Sequence, residues 1–335
     1  DVHAAGLAQR FAVPTLAELA GVARERQFED LYGKLTTASG EPILSAFIRM
    51  LSEATRRYPI LSCPTRFDVS DARVVSIDLD EVAKQGSATA DHQTNVCYML
   101  ARHVAARNFY LREEHIMSFP EGYRAHHEKR VREIRQGRKH LVFDEVHRTS
   151  GASATRNQIE LDAREGGKWG VMLTLISHRP KDFPQSVLSF STGNFILSPT
   201  DEAAGKLLEE TWLAKPTVLW AAKNKIRPPG KQGSTVVAIF KTRDGDVSQL
   251  LNLTMGGIRL WAFSTSNEDS YVRDVLYSKI GGAETRRLLA RLYPAGTMLP
   301  EIERRKLALE NSGAILDAKK EEGVINEMIR EILEK

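Results

Sequence analysis

Two apolar segments joined by one helical segment limit this chain to a parallel α/β arrangement. Residues 138–145 (RKHLVFDE) read as a buried strand that ends in two adjacent carboxylates. A helical pattern from about residue 154 to 164 follows and ends at Gly166-Gly167, and residues 171–178 (VMLTLISH) then read as a second apolar strand with a polar tip. A strand, a helix and a strand at this spacing predict neighbouring parallel strands of one sheet.

The remaining sequence places helices and further strands around this unit. Residues 73–79 (RVVSIDL) are β-branched and apolar on both faces, which predicts another central parallel strand. Asp244-Gly245 stands between two apolar runs and predicts a hairpin turn. The other predicted elements are helices up to about residue 57, at 88–110, 121–135 and 201–224 and from 267 onward, and strands at 186–197, 235–240, 247–253 and 258–263.

The composition excludes several classes of protein. The 335 residues are 42% hydrophobic and 27% charged, as in soluble domains, and are enough for one large or two ordinary domains. Lys plus Arg (47) only slightly exceed Asp plus Glu (43), a balance too even to argue for nucleic-acid binding. No apolar run reaches the length of a membrane span. Cys63 and Cys97 lack metal-ligand spacing, which predicts buried free thiols in a reducing compartment.

The carboxylates at the end of the first strand predict a nucleotide-hydrolysing site. Asp144 would hold a magnesium ion through its waters, and Glu145 would orient and deprotonate the attacking water. The tip of the second strand, Ser177-His178, would sense the γ-phosphate or hold that water in line. The alternative is a buried strand that leads into an acidic loop, with His178 an ordinary loop histidine.

The phosphate-binding part of such a site has no counterpart in the sequence. No G-x-x-x-x-G-K-[ST] motif occurs in the 335 residues. Backbone amides and a lysine must cradle the β- and γ-phosphates, so we expect this chain alone to bind ATP poorly or not at all. The missing loop, together with an N-terminal Asp1 in place of methionine, predicts an excised downstream part of an ATPase.

A basic glycine-rich loop, residues 164–170 (REGGKWG), joins the predicted helix to the second strand. Arg164 on this loop is suited to reach a phosphate across a subunit boundary, as an arginine finger does. It would also fit an ordinary helix C-terminus with Gly166 in a left-handed conformation. Lys168 is a weaker candidate for the same role, and Arg179 is a further candidate for binding the nucleotide.

Three stretches give the chain a resemblance to a known family. They are KHLVFDEVHRTSG (139–151), AREGGKWGVMLTLISHRP (163–180) and LWAFSTSNEDSYVRDVLYSKIGGAETRRLLARLYPAG (260–296). They resemble the energising ATPases of type IV secretion systems, most of all the IcmB/DotO branch of Dot/Icm and related conjugation systems. The third stretch is the most specific, because generic RecA-like motors lack its WAFST…ED…R core.

This resemblance implies an α/β fold with a RecA-like P-loop ATPase core, a parallel sheet flanked by helices, together with an inserted helical subdomain and C-terminal helices. It implies ATP and Mg²⁺ as cofactors, with Asp144 as the magnesium carboxylate and Glu145 as the general base. Ser177 and His178 would occupy the sensor position, where related motors often carry Gln or Asn. The expected domains are a helical segment at 1–66, the second part of the core with its hairpin strands at 67–265, and a helical region at 266–335.

The implied setting is a bacterial secretion machine. The family forms cytoplasmic oligomers, usually hexamers, that dock at the inner membrane without inserting into it. The expected partners are a second, AAA-type secretion ATPase, inner-membrane secretion subunits, and a secreted protein or DNA cargo. Hydrolysis of ATP would assemble the apparatus or drive export.

Two other functions stay open. In one, the chain is a non-catalytic docking platform whose hairpin region and amphipathic C-terminal helix contact other secretion subunits. In the other, it belongs to a DNA-pumping motor of the FtsK/HerA type, which shares the carboxylate strand and the arginine loop. The weak basic bias and the 260–296 stretch argue against the DNA pump.

Overall fold

The chain divides into two units, Asp1–Ile176 and Ser177–Lys335, each with its own internal contacts. The computed structural model describes residues 4–5, 8, 12–63, 69, 72–82, 86–228, 232–312 and 318–334. The fold is mixed α/β, with one small parallel sheet and one antiparallel sheet. The predicted domain boundary at 66/67 lies outside the described residues.

The first unit is mainly helical and holds the parallel sheet. Its elements are α1 (Leu16–Val22), α2 (Arg26–Tyr32), α3 (Ile43–Arg57), α4 (Ala88–Ala106), α5 (Glu121–Gln136), β1 (Lys139–Phe143), α6 (Ser153–Glu165) and β2 (Val171–Leu175), with short 3₁₀ turns between several of them. The helices before residue 57 and the two helices that precede β1 are confirmed. Thr15 begins α1 with a capping box to Glu18, a local signal that is legible in the sequence.

The predicted strand–helix–strand unit is present. β1 and β2 pair in parallel from Lys139 opposite Val171 to Phe143 opposite Leu175, and α6 connects them. A small core of Ala106, Leu141 and Val171 lies under one face of this sheet, with aromatic side chains around it. The helix returns the chain to the start of the sheet, so the carboxyl ends of both strands lie at one edge.

Burial of the two strands differs from the sequence prediction. Only one face is covered, and Val142 and Met172 on the other face are 55% and 58% exposed. A continuous apolar run predicts a strand covered on both sides, but in the described part of the chain helices pack on one side only. The prediction of a buried strand is therefore confirmed for the face of β1 that carries Leu141 and is wrong for the face that carries Val142.

The segment 73–79 is also not a strand. Residues 74–79 have no regular hydrogen-bonded structure and are mostly exposed, and Val74 is 88% exposed. The β-branched pattern describes how well side chains suit a pleated sheet, whereas a strand also needs a neighbour that satisfies its backbone groups. The parallel sheet of the described residues contains only β1 and β2.

The second unit begins with helices around an antiparallel sheet. Its first elements are α7 (Gln185–Phe190), β3 (Gly193–Ile196), α8 (Glu202–Trp212), α9 (Pro216–Asn224), β4 (Ser234–Thr242) and β5 (Gly245–Leu253). The sheet order is β3-β4-β5, and the predicted hairpin is confirmed, with Thr242 opposite Gly245 at the turn. The single strand predicted at 186–197 is instead a short helix followed by β3.

The rest of the second unit is a helical bundle. It consists of α10 (Gly257–Ala262), α11 (Asn267–Ile280), α12 (Gly282–Leu292), α13 (Leu299–Asn311) and α14 (Ala318–Leu333). Residues 258–263, predicted as a strand, therefore belong mostly to helix α10. The apolar stripe of α14, including Met328 and Ile332, is buried in the core of this bundle. That stripe is consequently not a free docking face.

Residues 260–296 lie in the first three helices of this bundle and in the short segments after them. The Trp261 side chain is fully buried, and its indole N–H donates to the Tyr293 carbonyl at 2.9 Å. Asp269 is buried and accepts from the Ser266 hydroxyl at 2.6 Å and from the Met298 amide at 2.8 Å. These contacts give the W…S…D residues of the 260–296 stretch a structural role.

Two further properties follow from the described residues. Helices long and apolar enough to cross a bilayer do not occur among them. Both cysteines are free, but Cys63 is exposed and Cys97 is only partly buried, so the prediction of two buried thiols is wrong.

Candidate functional site

Asp144 and Glu145 follow β1 directly, at the carboxyl edge of the parallel sheet. The parallel ladder continues past the strands, since the Ile176 amide donates to the Phe143 carbonyl at 2.9 Å and the Val146 amide donates to the Ile176 carbonyl at 3.0 Å. Asp144 is exposed and Glu145 half-buried. The two carboxylates are therefore presented where open α/β sheets bind ligands.

Glu145 adopts a left-handed backbone conformation, with φ 55° and ψ 45°. A non-glycine residue in this region carries a conformational cost of about 1–2 kcal/mol. The conformation is held on one side by the Glu145 amide, which donates to Asp144 Oδ1 at 3.0 Å. On the other side a 3₁₀ turn, Val146–Thr149, is fixed by the buried Val146 and Thr149, whose hydroxyl donates to the Val146 carbonyl at 2.7 Å.

His147 is a site residue that the sequence interpretation missed. Its Nδ1 lies 3.0 Å from Glu145 Oε2, and both side chains are about one-third exposed. The sequence signal is the spacing Asp-Glu-x-His, in which the left-handed Glu145 and the 3₁₀ turn bring positions two apart together. The His147 ring therefore lies against the Glu145 carboxylate.

An open cleft of about 1320 Å³ lies beside β1, and both carboxylates line it. The lining also includes Asp80, Tyr98 and Arg148. Arg148 forms an ion pair with Asp80, which ties the irregular segment before α4 to the loop after β1. Burial raises the pKa of the Tyr98 hydroxyl, and the nearby Asp144 and Glu145 charges raise it further against the opposing effect of Arg148. The hydroxyl thus stays neutral beside the carboxylates.

The structure places Arg164 and Lys168 at the other edge of the sheet. Both are exposed, Arg164 in the last turn of α6 and Lys168 in the connection to β2, where the Lys139 amide donates to the Gly170 carbonyl at 2.9 Å. A five-residue strand separates this edge from Asp144 by about 16 Å, at roughly 3.3 Å per residue. Neither side chain is brought to the carboxylates of its own chain.

The left-handed glycine in this connection is not the one that the sequence predicted. Helix α6 ends at Gly166 as predicted, but Gly166 has φ −54° and opens a 3₁₀ turn, so the prediction of a left-handed conformation there is wrong. The left-handed residue is Gly170, with φ 65°, immediately before β2. Glycine is favoured there because it lacks the Cβ that penalises this conformation.

Ser177, His178 and Arg179 begin the second unit. The Ser177 hydroxyl donates to Asp182 Oδ2 at 2.8 Å, and the Arg179 amide donates to the same oxygen at 3.0 Å. Asp182, which the sequence interpretation did not single out, therefore organises this turn. The His178 and Arg179 side chains are exposed, and the Ser177 hydroxyl is engaged within its own loop.

The donor set at the carboxyl edge suits a hard cation. Magnesium prefers oxygen ligands and is commonly held by one or two carboxylates together with waters and phosphate oxygens. Asp144 presents its carboxylate to the cleft, while Oδ1 also accepts the Glu145 amide. The residues present are thus chemically compatible with Mg²⁺ at Asp144.

Comparison with known proteins assigns no family to this chain. None of the protein-family models matches it, and no curated protein is significantly similar to it.

Proposed function

We propose that this chain supplies the metal-and-water half of a nucleoside-triphosphate hydrolase. The observation that carries the proposal is the pair Asp144 and Glu145, which directly follows a parallel-paired strand and lines an open cleft. Of two adjacent carboxylates at such an edge, one can hold a metal ion and the other can activate the attacking water, and hydrolysis of a phosphoanhydride uses both. The phosphate-binding amides and lysine would come from polypeptide outside these 335 residues.

Each residue has a distinct role in this proposal. Mg²⁺, when bound, would offset the negative charge of the phosphates and fix their geometry. Asp144 would hold the ion through its waters. Glu145 would accept the proton of the attacking water, and His147 would orient the Glu145 carboxylate through their 3.0 Å contact. The left-handed backbone at Glu145 is the kind of strain that concentrates at functional sites.

The more specific proposal is a RecA-like motor of a type IV secretion system that hydrolyses ATP to assemble the apparatus or drive export. It rests on the resemblance of the three stretches. In a cytoplasmic hexamer at the inner membrane, Arg164 and Lys168 would act on the neighbouring subunit's nucleotide, which their distance from Asp144 favours over action within one subunit. Ser177 and His178 would serve as the sensor, and Arg179 would contact the nucleotide.

The docking-platform alternative has one structural observation in its favour. Every residue of the hairpin strand β5 except Leu251 is exposed, whereas the apolar stripe of α14 is buried. A platform would therefore use the hairpin rather than the C-terminal helix. No contact or charge pattern of the described residues favours the DNA pump.

The test is Mg²⁺-dependent ATP hydrolysis by the longest natural polypeptide that contains these residues. We expect Glu145→Gln to lower kcat by about 10²-fold or more while Mg·ATP binding persists, because only the proton acceptor is lost. Asp144→Asn should raise the Mg²⁺ concentration needed for half-maximal turnover, because the amide is a poorer ligand for the ion than the carboxylate. Glu114→Gln is the matched control, since Glu114 is exposed and lies outside the cleft lining.

Two outcomes would contradict the proposal. Unchanged turnover in Glu145→Gln would remove the base assignment, and equal losses in Glu145→Gln and Glu114→Gln would indicate damage unrelated to the site. Stimulation of turnover by double-stranded DNA would instead favour the DNA pump over the secretion motor.

A further inference from the structure

The outer edge of the antiparallel sheet is uncovered. β5 is the last strand in the order β3-β4-β5, so one row of its backbone donors and acceptors has no strand partner among the described residues. Val247 and Leu250 are 45% and 48% exposed on this strand. A long edge strand with exposed apolar side chains is a template for adding another strand.

An apolar groove of about 580 Å³ lies on the helix-covered face of the sheet, next to this edge. Leu250 of β5 forms one wall, and Trp220 of α9 is a large exposed ring on the other. Leu250 pairs with Val237, a core residue packed with α9, which assigns Leu250 to the same face as the helix. A side chain from an added strand would enter this groove.

Charged side chains lie near both ends of this edge. Lys225 lines the groove beside Leu250, and its Nζ lies 5.1 Å from the centre of the Trp220 ring. Asp244 and Asp246 lie at the hairpin turn, the amino end of β5, together with Lys241 and Arg243, so this end carries both signs. An antiparallel strand of the same sequence would bring its Asp246 toward Lys225, and this one pair of opposite charges would form twice.

We propose that β5 pairs with β5 of a second copy of this chain, antiparallel and centred on Gln249. In this register Asp246 lies opposite Asn252 and within reach of Lys225 of the other copy. Leu250 lies opposite the small Ser248 at the mouth of the groove. Val247 lies opposite Leu251 on the other face, an aliphatic pair of the kind that stabilises neighbouring strands.

A two-fold rotation axis through this pairing relates the two copies, which is the commonest symmetry of homodimers. One strand edge and one groove make a small contact, so we expect a reversible dimer with micromolar affinity. This inference does not depend on the nucleotide site, and either can fail without the other.

The experiment uses cysteine cross-linking of the whole chain in a Cys63→Ser/Cys97→Ser background. Gln249→Cys should form an interchain disulfide under mild oxidation, because only this position faces itself across the axis. Ser248→Cys is the matched control, since it faces Leu250 and should cross-link at least about tenfold less. Sedimentation equilibrium of the unoxidised chain should show a concentration-dependent dimer.

Charge reversal tests the proposed pairing independently. Asp246→Lys and Lys225→Glu should each lower the affinity of the dimer by about tenfold, because each places two like charges next to each other. The double variant should restore the affinity, because its two positions again carry opposite charges. Asp274→Lys, on the exposed side of α11, should leave the dimer unchanged.

Three results would overturn the inference. These are a chain that remains monomeric at every concentration, equal cross-linking at positions 248 and 249, and a double charge variant no better than the single ones. A monomer whose Trp220 fluorescence responds to a synthetic acidic peptide would assign the edge to a different partner.

Discussion

At the scale of single residues, Glu145 shows how a candidate catalytic group is positioned at a conformational cost. The chain turns from β1 into a left-handed residue and then a 3₁₀ turn, and this brings Glu145 to His147. Nothing in the local sequence demands that geometry, because Asp-Glu after a strand is equally compatible with an extended loop. The strain is sustained by the buried Val146 and Thr149 beneath it.

Relief of this strain should be measurable. We expect Glu145→Gly to raise the free energy of unfolding by about 1 kcal/mol relative to Glu145→Ala, because both remove the carboxylate and only glycine tolerates positive φ. Leu213, also left-handed with φ 53° and largely exposed, offers a comparison in Leu213→Gly against Leu213→Ala. Urea denaturation measures both pairs, and equal stability of glycine and alanine at position 145 would refute the strain.

At the scale of elements, an ion pair on the buried carboxylate of Asp162 joins two of the helices beside the parallel sheet. Arg102 of α4 donates from Nε to Asp162 Oδ2 of α6 at 2.6 Å, and the Tyr110 hydroxyl donates to Asp162 Oδ1 at 2.9 Å. The Asp162 side chain is only 2% exposed. This contact joins the helix before the sheet to the helix that connects its strands.

Removing one partner of that pair should be costly. Asp162→Ala should lower the free energy of unfolding by about 3 kcal/mol, because it leaves the Arg102 charge buried without its carboxylate. The surface pair Arg132–Glu128 is the control, and Glu128→Ala should cost less than about 0.5 kcal/mol. Equal denaturant midpoints for Asp162→Ala and Glu128→Ala would contradict this prediction.

The same contact predicts a dependence on alkaline pH. Burial, and then the Asp162 charge, raise the pKa of Tyr110 from 10.0 to about 12 in the folded chain. Because the folded pKa is the higher one, the stabilisation that depends on the neutral hydroxyl is complete below pH 10 and is lost as pH rises toward 12. The stability difference between wild type and Tyr110→Phe should thus shrink over that interval in denaturant titrations. A constant difference across it would be inconsistent with the shifted pKa.

At the scale of the whole molecule, each unit has hydrophobic cores of its own. The second unit packs α10 to α14 around Trp261 and Met328, while the first packs the sheet around Leu141. Cores that share no residue predict that damage to one unit stays within it.

A core substitution in the second unit tests this separation. Met328→Ala should cost about 2–5 kcal/mol, because the side chain is fully buried and leaves a cavity. Hydrogen exchange should show lost protection in α10 to α14 with β1 and β2 unchanged. Leu307→Ala, at a position 57% exposed, should alter neither. Deprotection of β1 in Met328→Ala would show that the units unfold together.

Local sequence signals determined much of this architecture. The parallel strand–helix–strand unit, the Asp244-Gly245 hairpin and the helices before residue 57 and after residue 267 follow from periodicity, capping and turn chemistry, which act over a few residues. Asp144 and Glu145 at a strand end could be identified in the same way. These features need no distant partner to be recognised.

Only the tertiary structure decided the rest, because those choices depend on distant neighbours. Residues 258–263 form most of helix α10, which buries Trp261 and packs closely on α12: a Cβ added at Gly257 would lie 3.0 Å from the Ala290 Cβ. Residues 73–79 have the composition of a strand but lack backbone pairing. Arg164, predicted to reach a phosphate across a subunit boundary, lies at the end of α6, at the edge of the sheet opposite Asp144. An apolar run indicates that a segment prefers burial, whereas its secondary structure and its position depend on which residues pack beside it in the folded chain.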